Sequence, residues 1–156
     1  MPIKSFRGLI AEGTQDIISL HTNTGSTGYK IVKFELMPFN PGSKTYNSVV
    51  KIYSIPQEIP IPTSAATMDF SDNTLLAAGY YEDNASTAYV AGKTIIFDNT
   101  QFNQDIYVTY TDNDSSDIFI NYYIELEQVK LSLDENTVAT LKDIRNITSR
   151  WVNNII

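Results

Sequence analysis

The chain of 156 residues contains no cysteine, which excludes a disulfide scaffold, thiolate metal sites and a cysteine nucleophile. A single histidine, His21, leaves little room for imidazole catalysis or zinc binding. No Gly-x-Ser-x-Gly elbow is present, and Gly25-Ser-Thr-Gly28 is followed by no Gly-Lys-Ser/Thr, so neither a hydrolase elbow nor a phosphate loop is written here. The longest apolar runs are four or five residues, too short for a membrane-spanning helix. The opening MPIKSFRGLI lacks an apolar stretch of signal-peptide length. Charged residues make up only 19% of the chain, and 18 acidic against 11 basic residues leave a net charge of −7. A surface that acidic repels phosphate, so nucleic acid and anionic membrane are not expected partners.

What fills the gap is Thr, Ser, Asn, Ile and ten tyrosines. These side chains suit a pleated, half-buried surface. A hydrophobic fraction of 42% supports a packed core. The length fits one domain, read as a single β-sandwich domain over residues 1–156.

Eight short apolar runs are separated by turn chemistry. They lie at 5–11, 16–20, 29–39, 48–55, 75–81, 94–97, 105–111 and 118–129. In the third, Val32, Phe34 and Leu36 alternate with Lys33 and Glu35, predicting one face in the core. In the fourth, Val50 and Ile52 point one way, and Val49, Lys51 and Tyr53 the other. Pro56, Pro60 and Pro62 forbid a central strand or helix across 55–63. In the last run Ile118, Ile120, Tyr122, Ile124 and Leu126 share a face. The turn formers 112–117 predict that the seventh and eighth runs make a hairpin. Ser132-x-x-Glu135 reads as a capping box ahead of Val138, Leu141, Ile144 and Ile147, predicting one short helix over 136–145. The expected fold is therefore all-β: about eight antiparallel strands in a sandwich or jelly-roll arrangement, with an eight-stranded barrel as the alternative.

Few residues qualify for chemistry. Asp112, Asp114 and Asp117 form the only dense oxygen cluster and are the calcium candidate, although the loop lacks the glycine and distal glutamate of an EF-hand. A solvated connecting loop accounts for the same residues. Glu125 and Glu127 lie two apart on one strand face, ~6.6 Å at ~3.3 Å per residue, a separation used by carboxylate pairs but also ordinary on a soluble strand. His21 is expected at the surface or rim. The tyrosine pairs Tyr80/Tyr81, Tyr107/Tyr110 and Tyr122/Tyr123 must each put a ring outward or cap a core; outward rings favour glycan or protein recognition. Residues 147–156 read as a docking tail, with Trp151, Val152, Ile155 and Ile156 as interface anchors where terminal residues are usually polar.

A set of segments, in order, resembles small virion structural proteins of tailed bacteriophages, marine and cyanobacterial ones in particular. They are Lys4-Ser-Phe-Arg-Gly8, Gly28-Tyr-Lys-Ile-Val-Lys-Phe34, Val50-Lys-Ile-Tyr53, Asp69-Phe-Ser-Asp-Asn-Thr-Leu-Leu76, Ile96-Phe-Asp-Asn99, Phe102-Asn-Gln-Asp-Ile-Tyr-Val108, Asn121-Tyr-Tyr-Ile-Glu-Leu126 and Lys142-Asp-Ile-Arg-Asn-Ile147. The resemblance implies a non-enzymatic particle component without cofactor, located in the virion. Its expected partners are other virion proteins of capsid or tail and further copies of itself. A capsid decoration or cement subunit is the leading expectation. A tail, neck or baseplate component and a host-glycan-binding module are the alternatives.

Overall fold

The structure, a computed structural model, describes residues 2–22, 26–41, 44–62, 66–84, 89–97, 100–113 and 117–132; for Asn84 and Tyr89 the description is of the backbone. The strands are β1 (Ile3–Ala11), β2 (Gln15–Ile18), β3 (Thr27–Pro38), β4 (Tyr46–Tyr53), β5 (Leu75–Asn84), β6 (Tyr89–Ile96), β7 (Ile106–Asp112) and β8 (Phe119–Lys130). The helix expected over 136–145 and the tail 147–156 lie outside the described residues.

All pairings are antiparallel and build two sheets. Sheet A has the order β1-β8-β3, and sheet B the order β2-β7-β4-β5-β6. Strand 1 pairs with 8, 2 with 7 and 4 with 5, as in a chain doubled on itself and then rolled. Rolling adds the pairs β8–β3 and β7–β4. This is the jelly-roll way of closing a double sheet. The remaining pair, β3 with β6, is replaced by a β5–β6 hairpin, and the Thr94 hydroxyl on β6 donates to the Phe34 carbonyl on β3 at 2.8 Å.

The core lies between the sheets. Ile120, Tyr122, Ile124 and Leu126 of β8 face Ile106, Val108 and Tyr110 of β7 and Val50 and Ile52 of β4. Burying each aliphatic side chain contributes roughly 1.5–3 kcal/mol against chain entropy. The predicted alternation on β8 and β4 therefore places the right residues inside.

Two expectations are corrected. β7 and β8 do not form a hairpin: β7 is hydrogen-bonded to β2 and β4, and β8 to β1 and β3, so the two strands belong to different sheets. A hairpin would set the apolar faces of β7 and β8 side by side; in the sandwich they oppose each other across the core, with both edges of each strand paired. On β3, Val32 is exposed rather than buried, because the register with β8 slips between Ile31 and Lys33. The bulge reverses the phase, so Tyr29 and Ile31 point inward before it and Phe34 and Leu36 after it.

Between β1 and β2 the chain changes sheets within three residues, and Gly13 sits at φ 80, where a side chain is disfavoured. The amides of Glu12 and Gly13 donate to Ile118 and Tyr110, one on each side of the β7–β8 crossing. Residues 54–62 and 66–74 lie over the outer face of sheet B, where Val49, Lys51 and Tyr53 are buried and the Lys51 ammonium reaches the Thr67 carbonyl. Tyr53, Leu75 and Ala78 form a second small cluster there with Met68 and Phe97.

Candidate functional site: the open face of sheet A and its cleft

Where residues 54–62 and 66–74 cover sheet B, sheet A leaves Arg7, Leu9, Glu35 and Met37 exposed on its outer face. Its register aligns Arg7 with Tyr123 and Glu35, Leu9 with Asn121 and Met37, and Ala11 with Phe119. Strand alternation sends these side chains outward. At one end the face is charged and internally paired. Lys30 meets Glu127 at 3.4 Å and Lys33 meets Glu35 at 3.9 Å. The Lys33 ammonium lies 5.9 Å from the Tyr123 ring centroid. The Tyr123 hydroxyl donates to Glu125 at 2.7 Å, and that bond to a carboxylate raises the phenol's pKa.

At the other end the face is apolar and open. Leu9 is 46% exposed, Met37 64%, Phe39 53% and Phe119 39%. Phe39 and Phe119 pack edge to face with centroids 6.0 Å apart. Exposed aromatic and Met side chains rimmed by Arg are the composition of a docking patch.

A cleft of about 910 Å³ joins this face to the β5–β6 hairpin. Its lining includes Arg7, Leu9, Glu35, Met37, Asn121 and four tyrosines, Tyr80, Tyr81, Tyr122 and Tyr123, together with Lys93. Gly8 is required beside it, since a Cβ there would lie 2.6 Å from the Tyr122 hydroxyl. That hydroxyl passes beneath β1 to donate to Asp16 on β2 at 2.9 Å, joining the two sheets. Burial, then the hydrogen bond to Asp16, raises the Tyr122 pKa. Arg7 and Lys93 make no ion pair among the described residues, although the chain is acidic overall.

The residues singled out in the sequence fall in separate places. Asp112 is buried, and its Oδ2 accepts from the Asn47 amide at 3.0 Å and the Ser48 hydroxyl at 2.8 Å. Because Ser48 gives its only proton to Asp112, the Tyr110 hydroxyl donates to Ser48 at 2.8 Å. Burial dominates in raising the Tyr110 pKa. Asp117 is exposed at φ 60, and Asp114 lies outside the described residues. Among the described residues no three His, Cys, Asp or Glu side chains form a metal-sized group. Glu125 and Glu127 are each engaged separately, with Tyr123 and with Lys30. Of the tyrosine pairs, Tyr81, Tyr110 and Tyr122 turn inward and Tyr80 outward. Trp151, Val152, Ile155 and Ile156 lie outside the described residues.

His21 is at the surface, as expected, and its Nδ1 lies 2.7 Å from Asp105 Oδ1. The same oxygen accepts from the Leu20 and His21 amides at 2.8 and 3.1 Å. Burial pushes the Asp105 carboxyl up, but the bonds from His21 and the two amides outweigh it and hold the pKa below its ordinary value. Sequence reasoning missed Asp105 because its partner is 84 residues away. It also missed the cleft, since nothing local marks which face a fold leaves uncovered.

A comparison of the sequence with protein-family models finds no match, and a comparison with curated proteins finds none either.

Proposed function

We propose that this protein is a non-enzymatic structural subunit of a tailed-phage virion that self-associates and docks on the particle, most simply as a capsid decoration or cement subunit. The observation that carries the reading is the open end of sheet A, where Leu9, Met37, Phe39 and Phe119 stand in solvent beside Arg7. A patch of that composition gains by being covered. The ordered segments that resemble phage structural proteins supply the particle, and the jelly-roll arrangement agrees by fold analogy alone. Co-sedimentation of the full chain with tailed-phage capsids tests the reading. Saturable binding that Met37→Glu weakens is expected; protein left in the supernatant at every concentration would defeat it. Binding to isolated tails or baseplates instead would move the subunit to that part of the particle.

A second reading, a host-glycan-binding module, draws on the four tyrosines and Asn121 in the cleft. Glycan-array binding lost in Tyr80→Ala, with no affinity for particles, is the result that would favour it.

A further inference from the structure

We propose that the apolar end of sheet A's outer face is the receptor for residues 147–156 of a second copy of this chain. The inference deepens the docking reading above and rests on it for self-association only.

Edge-to-edge pairing is guarded at each free edge. β1 carries exposed Arg7 and a Lys4 whose ammonium reaches over the Tyr29 ring at 5.8 Å. β2 is four residues long, and β6 carries exposed Lys93. The β3 edge is interrupted by its bulge, by the Thr94–Phe34 bond and by a two-way backbone bridge between Tyr29 and Phe102. Lysines, short strands and bulges are the devices that discourage strand addition. Association therefore falls to a face, and among the described residues the unoccupied apolar face is that of sheet A.

The occupant follows from what the chain has left over. Residues 133–156 hold three acids, Asp134, Glu135 and Asp143, and three bases, Lys142, Arg145 and Arg150, so the segment is neutral in a chain of net charge −7. Its last ten residues carry Ile147, Trp151, Val152, Ile155 and Ile156. The only charged side chain among those ten residues is Arg150, and a sparsely charged, tryptophan-bearing segment complements a patch of Leu9, Met37, Phe39 and Phe119.

Geometry favours a second copy over the same chain. The last strand ends at Lys130, opposite Thr27, whereas Phe119 and the patch stand at the strand's start. Eleven steps of β8 separate them, about 36 Å at ~3.3 Å per residue. To reach its own patch along the face the segment would cross Lys33 and Glu35, whose side chains are 46% and 63% exposed. Covering those groups costs their hydration. A neighbouring copy enters from the apolar end and leaves Lys33 and Glu35 in water.

The absence of native cysteine makes the test clean. Full chains carrying Met37→Cys alone and Asn153→Cys alone are mixed and mildly oxidised. Met37 is 64% exposed, so the change leaves the fold intact. The expected product is a disulfide-linked pair of twice the monomer mass, at least tenfold more abundant than that from Asn153→Cys mixed with Glu58→Cys, which lies on the segment covering sheet B. Equal yields, or no cross-link, would overturn the proposal. So would a chain carrying both Met37→Cys and Asn153→Cys that closes on itself as a monomer. No virion enters the experiment, so its failure is distinct from failure of particle binding.

Discussion

The two outer faces of the sandwich are built from the same alternating strands and end in opposite states. On sheet B, residues 54–62 and 66–74 lie across the face, and even Lys51 is only 6% exposed. Its ammonium donates to the Thr67 carbonyl at 2.8 Å and sits 5.6 Å from the Tyr53 ring. On sheet A, Lys33 keeps 46% of its side chain in water, and Met37 stands 64% exposed. Covering a face turns polar side chains into structural parts; leaving it open makes apolar ones available to a partner. The contrast predicts a division of labour, with stability on the covered side and recognition on the open one.

The largest test of that contrast is a pair of truncations. Tyr53→Ala, beneath the covering segment, should cost about 3 kcal/mol, within the range for large buried side chains. Met37→Ala should fall within about 0.5 kcal/mol, as exposed substitutions do. Denaturant midpoints measure both. Equal losses would mean that the two faces do not differ in the way described.

High pH probes the layer that the faces share. Tyr110 of sheet B and Tyr122 of sheet A both point inward, and burial raises both phenols above the ordinary 10.0. The folded state then holds its protons longer than the unfolded chain. Their contribution is present below pH 10.0 and is lost as pH rises above it. Tyr110→Phe and Tyr122→Phe should each blunt the fall in melting temperature above that pH. An alkaline transition unchanged in both variants would show that the loss arises elsewhere.

Lys51 should act in the opposite direction and just below that window. Burial lowers its pKa from 10.5, with Asp72 opposing. The folded state releases this proton earlier than the unfolded chain, so a penalty present near neutral pH is relieved as pH climbs toward 10.5. Lys51→Met should remove that rise from the stability profile. A rise that persists in the variant would assign it to other groups.

The core alternation on β4 and β8 was legible because a period of two needs only neighbouring residues: Val50 and Ile52, or Ile120 to Leu126, identify themselves. The three prolines likewise marked 55–63 as a connection. Sheet membership was not legible. Residues 105–111 and 118–129 look like a hairpin locally, and only the distant edges of β2, β4, β1 and β3 decide that they part. Val32 was misplaced because Val32, Phe34 and Leu36 alternate with Lys33 and Glu35 in the sequence, while the slip between Ile31 and Lys33 is set by pairing with β8. Asp105, Lys51 and the cleft share that cause, since each depends on contacts between remote segments. Charge patterning shows where a lysine lies on a strand, not that Thr67 will come to lie over it.

The smallest effect offers the finest test of openness. Lys30 and Glu127 pair at 3.4 Å with side chains 27% and 23% exposed. If sheet A's outer face is open to water, their coupling in a double-mutant cycle should be about 0.5 kcal/mol, typical of solvent-screened pairs. High salt should abolish it, because at 1 M the screening length is about 3 Å. A covered pair behaves differently: removing one partner strands a desolvated charge, and the coupling becomes larger and resists salt. The cycle should therefore be run at a concentration where the protein is monomeric. A coupling above about 1.5 kcal/mol there would mean that the charged half is already covered by the chain's own remaining residues. That outcome would remove the contrast between the faces and, with it, the reason to assign residues 147–156 to a second copy.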